Sequence, residues 1–170
     1  ASRWWCLTIC LSRRRFVVRL NSVARHHANH LGKSNMNADV INSLAKATQD
    51  GFLPFPKIIG ELMAQGVEYY HVDFVRGSFT FYSTAGSAVI APLSFEGLPS
   101  TVATWDANAL KAAILDSQQH GQKFRQFCER AVLAGVQGYF AFLRGQRVTY
   151  FGRSGDQHIE WFPGTTPIDA

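Results

Sequence analysis

Acidic residues are missing from the first 35 positions of this 170-residue chain, which carry seven of its 17 basic side chains and none of its 12 acidic ones. The positive charge is therefore local: residues 36–170 hold ten basic side chains against twelve acidic ones, so the high pI does not make the body a nucleic-acid binder. Cysteine is scarce, with Cys6 and Cys10 near the start and Cys128 alone in the body, which excludes a disulfide framework there and points to a reducing, cytoplasmic setting. Cys128 sits among Phe124, Phe127, Ala131 and Val132 at helical spacing, the setting of a buried, inert thiol. Long apolar runs are absent too. Trp4 to Leu11 is far shorter than the roughly 20 residues a bilayer-crossing helix needs, and Arg13-Arg14-Arg15 follows this run, where a secretory signal would put its charge first. No membrane association is expected.

Motifs that carry chemistry are missing as well. Gly32-Lys33-Ser34 matches the tail of a phosphate-binding loop, but His27 stands where the leading glycine belongs and no strand precedes it. His26, His27 and His30 lie close together, yet without a packed scaffold such a cluster only scavenges metal. No HExxH, CxxC or nucleophile elbow occurs. The expectation is a protein that is not an enzyme and uses no cofactor and no metal.

What is present suits a folded domain: 46% of residues are hydrophobic and 13% aromatic, ample for one core. Met36-Asn37-Ala38-Asp39 reads as a translation start, with Asp39 as N-cap of a helix that continues through Val40, Ile41 and Leu44. On this reading residues 1–35 are a basic, non-globular leader outside the native fold, and 36–170 form one α+β domain.

A repeat runs through that domain at a spacing of about 69 residues. Gly66-Val67, Tyr70, Arg76-Gly77, Thr80-Phe81-Tyr82, Gly86 and Ile90 find counterparts in Gly135-Val136, Tyr139, Arg144-Gly145, Thr149-Tyr150-Phe151, Gly155 and Ile159, with a one-residue slip at the Arg-Gly turn. The repeat predicts two halves, about 36–92 and 105–163, each ordered helix, helix, strand, strand, strand. Helices are predicted over 38–48, 56–65, 107–118 and 122–134, and strands over 67–75, 78–83, 88–92, 136–144, 147–152 and 157–162. Hairpin-length connections make the sheet antiparallel, with helices over its apolar face. One continuous sheet and two facing sheets both fit the pattern.

Two constellations could carry function. Tyr69, His71 and Asp73 share one face of a strand by the two-residue period, as do His158 and Glu160. If those faces met, two imidazoles and two carboxylates would form a metal or acid–base site. Against this, Phe140 and Phe142 occupy the corresponding positions in the second half. The strand aromatics Tyr69, Tyr70, Phe79, Phe81, Tyr82, Tyr139, Phe140, Phe142, Tyr150 and Phe151 could instead form a stacking platform for single-stranded nucleic acid, with Arg76, Arg144, Arg147 and Arg153 close by; Tyr69, Tyr82 and Tyr150 are its candidate surface. The body's slight acidity favours core packing and a protein interface, self-association included, for these rings.

Met36-Asn37-Ala38, Gly66-Val67-Glu68-Tyr69-Tyr70, Ala134-Gly135-Val136 and Tyr150-Phe151 together resemble the YdfO-like and YbcV-like family of small enterobacterial prophage proteins, some of which carry the label phage envelope protein. The resemblance covers the body and none of the leader. It implies a bacterial host cytoplasm, with virion association open, and argues against an organelle-targeting role for residues 1–35.

Overall fold

The computed structural model describes residues 36–165, so the expectation about the basic leader lies outside the described residues. The elements are α1 (Ala38–Asp50), α2 (Phe55–Ala64), β1 (Val67–Asp73), β2 (Ser78–Ser83), β3 (Ala88–Pro92), α3 (Ala107–Gln119), α4 (Phe124–Leu133), β4 (Val136–Phe142), β5 (Arg147–Gly152) and β6 (Gln157–Trp161). Each element of the second half starts and ends 69 residues after its counterpart in the first.

Local chemistry sets the boundaries. Asn37, rather than Asp39, caps α1: its side-chain oxygen accepts from the backbone N–H of Asp39 at 3.0 Å and of Val40 at 3.2 Å. Asp39 falls in the first turn, where its charge complements the helix dipole. Asp106 caps α3 in the same manner, accepting from Asn108 and Ala109. After α4 the chain reverses at Gly135, where φ is +85° and a Cβ would lie 2.4 Å from the Thr104 carbonyl oxygen, so only glycine fits.

The backbone also shows no slip between the halves. At the β1–β2 turn the left-handed position is Gly77 (φ 68°), and 69 residues later it is Gln146 (φ 51°), not Gly145. Both carbonyls accept the same bond, from Leu93 N–H at 2.9 Å and from Phe162 N–H at 2.8 Å. The second Arg-Gly pair is displaced in sequence only.

All six strands form one antiparallel sheet in the order β3-β2-β1-β4-β5-β6. The halves meet through β1 and β4, with Tyr70 opposite Ala141, His71 opposite Phe140 and Val72 opposite Tyr139. His71 and Phe140 are themselves 69 residues apart, so the sheet's approximate two-fold passes between them. One face, carrying Tyr70, Val72, Phe79, Phe81, Ala91, Tyr139, Ala141, Val148 and Tyr150, is buried under the helices with Ile41, Leu62, Leu110, Phe127 and Val132. Each large apolar side chain fully buried there contributes about 1.5–3 kcal/mol. The other face carries no helix.

Candidate functional site

The structure does not bring His71, Asp73, His158 and Glu160 together. Registers place His71 and Asp73 opposite Phe140 and Gly138, on the helix-free face, whereas His158 and Glu160 lie opposite Tyr150 and Val148, on the helix-covered face. The two strands are also separated by β4 and β5. Each pair has its own local role. Asp73 Oδ1 accepts from the N–H of Val75 at 3.0 Å and of Arg76 at 2.8 Å, shaping the β1–β2 turn. The His71 ring stacks on Phe140 at 4.4 Å and on Phe151 at 5.7 Å, and its Nε2 is buried without a hydrogen-bond partner. Burial lowers its pKa, outweighing the attraction of nearby Asp73. No group of three or more His, Cys, Asp or Glu side chains suited to a metal ion occurs among the described residues.

The helix-free face is an aromatic array. Tyr82, Tyr69, Phe142, Arg147 and Trp161 lie side by side on five successive strands. Tyr82 and Tyr69 stack at 4.6 Å, Tyr69 and Phe142 at 5.8 Å, and the Arg147 guanidinium lies 5.7 Å from the Phe142 ring and 5.5 Å from that of Trp161. A second row, Ile90-Thr80-His71-Phe140-Thr149-Ile159, crosses the whole sheet. Apart from its central pair this row reads the same from either edge, and its ends, Ile90 and Ile159, are 53% and 45% exposed.

Tyr69 and Tyr82 therefore lie on the expected surface, but Tyr150 does not. It packs against the helices, 6.0 Å from Phe127, with Tyr70, Phe79, Phe81 and Tyr139 on the same side. The partner of Tyr82 in the repeat is Phe151. A phenol suits a surface, yet it can equally be buried where its hydroxyl finds a polar neighbour. Of the arginines expected near the platform, Arg147 joins the array; Trp161 is the member that sequence reasoning left out, and the two-residue period of β6 is the signal that could have found it.

Beneath the helices lies a cavity of about 290 Å³. Tyr70, Tyr139 and Tyr150 floor it, Ile59 of α2, Ile114 of α3 and Phe127 of α4 wall it, and Gln118 and Glu160 supply polar groups. Burial raises the pKa of all three phenols far above the tyrosine norm, with a hydrogen bond from Tyr139 offsetting part of the effect at Tyr70. They are neutral at any physiological pH. Glu160 is held on both oxygens: Oε1 accepts from Gln118 Nε2 at 3.1 Å, and Oε2 lies 3.3 Å from His158 Nε2.

These features define an α+β protein of two like-ordered halves on one antiparallel sheet, with an aromatic face left open and a tyrosine-floored cavity under its helices. The chain belongs to the family described as Protein of unknown function (DUF1398), whose model matches residues 43–160, more than half of the sequence. No curated protein matches it. No helix among the described residues is long and apolar enough to cross a membrane.

Proposed function

We propose that this is a non-enzymatic binding or assembly protein that works through the open face of its sheet, and that the first occupant of that face is a second copy of the chain. The observation that carries the reading is the aromatic array with half-exposed Ile90 and Ile159 at its flanks, because contiguous apolar surface marks partner sites. Six strands spaced about 4.8 Å, with residues rising about 3.3 Å, give a face of roughly 500 Å² in projection; its accessible area is larger because side chains protrude, which brings it toward the roughly 800 Å² that each partner contributes to a stable complex. The near-palindromic central row suits an isologous interface, in which each copy offers the same patch. Asp73 and Arg147 on this one face supply opposite charges that two-fold packing can pair.

Single-stranded nucleic acid is the second reading, favoured by the Tyr82-Tyr69-Phe142 stack and the adjacent Arg147. Residues 36–170, with ten basic against twelve acidic side chains, weigh against it. The one-for-one match of element boundaries supports an origin of the two halves by internal duplication, and the residues shared with the YdfO-like and YbcV-like proteins support a prophage source. A bacterial cytoplasm or virion follows from that source.

Light scattering on the full chain, together with anisotropy of a labelled oligothymidylate at low and high salt, tests the reading. Self-association that survives high salt without oligonucleotide binding is expected; a monomer that binds the oligonucleotide with steep salt dependence would replace the protein interface with the nucleic-acid one.

A further inference from the structure

The two halves differ in how their outer strands meet the helices. In the first, α1 packs down on β3, and Gln49 clamps it there, Nε2 donating to the Pro92 carbonyl at 3.0 Å and Oε1 accepting from Ser94 N–H at 2.6 Å. The helix-facing residues of β3 are Val89 and Ala91, the latter only 1% exposed. Their counterparts on β6 are His158 and Glu160, and the counterpart of Gln49 is Gln118. With a carboxylate in place of a methyl group, Gln118 bonds to the Glu160 side chain rather than to strand backbone, α3 has no comparable packing on β6, and the cavity opens between them. The Glu160 carboxylate does nothing for packing here, since a carboxylate facing the helix layer costs solvation that a small apolar residue would not.

We propose that this cavity binds a small organic cation, a protonated amine on an aromatic or branched aliphatic body, with Glu160 as its counter-charge. Aromatic walls favour a cationic guest through their ring faces. Glu160 uses one acceptor position on each oxygen for Gln118 and His158, which fixes its orientation and leaves lone pairs for an ammonium donor. No lysine or arginine is among the residues that line the cavity, so an anionic ligand has no counter-charge. A volume of about 290 Å³ admits a guest of about ten non-hydrogen atoms, taking about 30 Å³ for each water-sized unit. The site lies on the opposite side of the sheet from the proposed partner surface and stands or falls independently of it.

Calorimetric titration of the full chain with 2-phenylethylamine and with its uncharged isostere 2-phenylethanol tests the assignment. The amine is expected to bind at least about tenfold more tightly than the alcohol. Glu160→Gln should erase that preference, and Ile114→Trp, which fills the cavity, should abolish binding of both. Failure of both probes to bind the unaltered chain, equal affinity for the two, a preference that survives Glu160→Gln, or binding that survives Ile114→Trp would overturn the proposal. The comparison of amine with alcohol on the unaltered chain decides the matter even where a variant fails to fold.

Discussion

His71 lies stacked on Phe140, ring centroids 4.4 Å apart and planes 16° from parallel, and the two occupy equivalent positions of the first and second halves. The seam of the sheet is thus a residue pair with unequal chemistry: a phenyl ring content in apolar surroundings and an imidazole whose Nε2 is buried without a partner. An unsatisfied buried polar atom costs about 1–3 kcal/mol.

His71→Phe should therefore stabilise the protein, by about 1 kcal/mol, in urea unfolding at neutral pH. The histidine also has a lowered pKa in the fold. The unfolded chain then binds the proton more readily, so its contribution is full above the ordinary histidine pKa near 6.5 and is lost as pH falls through the lower folded value. The gain from His71→Phe should grow as pH is lowered from 7 to 5; a gain that shrinks would show that the imidazole is not protonated at a cost in the fold.

Gly138 sits beside this seam, opposite Asp73. A Cβ there would lie 2.4 Å from the Val72 carbonyl oxygen and 3.2 Å from both His71 Nε2 and Phe151 Cζ. Gly138→Ala should cost roughly 3 kcal/mol in urea unfolding, because the nearest clash is with strand backbone that cannot yield without disturbing the β1–β4 ladder. An alanine variant as stable as the parent would mean that the strands can separate locally.

The two equivalent positions Ala91 and Glu160 should respond unequally to exchange. Ala91→Glu forces a carboxylate into a site 1% exposed under α1 and should cost about 3 kcal/mol or more. Glu160→Ala, in a half that already accommodates a cavity, should cost less than about 1 kcal/mol. Thermal melting of the two variants checks the contrast, and similar losses would remove the asymmetry on which the cavity argument depends.

Cys128 is fully buried in α4, and burial, assisted by the neighbouring Glu129 charge, raises its thiol pKa. Peptide mass spectrometry should find Cys128 unmodified after iodoacetamide treatment of the native protein and alkylated after treatment in urea.

Much of this architecture was legible because glycine and helix-cap chemistry are local. Gly66, Gly135 and Asp106 mark helix boundaries through conformations or hydrogen bonds that few other residues provide, and the shared landmarks gave the spacing of 69. The Arg-Gly slip is one of sequence alone: Gln146 takes the left-handed conformation that Gly77 takes in the first half, and Gly145 relieves crowding against the Phe142 Cβ, 3.2 Å from where its own would stand. The site was harder to read. That His71 and Asp73 share a face follows from the two-residue period, but which face the residues of the second half take relative to them depends on the β1–β4 register, a non-local pairing that no residue type announces. The same gap put Tyr150 on the wrong side. The cavity was invisible for a related reason: it arises from what α3 does not contact, and only the comparison of Ala91 with Glu160 through the repeat hints at it.

The central claim, that the open aromatic face is where a second copy docks, is tested most directly by sedimentation velocity over a concentration series from micromolar to near-millimolar. Ile90→Lys with Ile159→Lys alters the two exposed ends of the central row and leaves the helix-covered core untouched. The account predicts a concentration-dependent dimer for the unaltered chain and a monomer with unchanged melting temperature for the double variant. A chain that stays monomeric throughout, or a dimer that persists in the double variant, would contradict it.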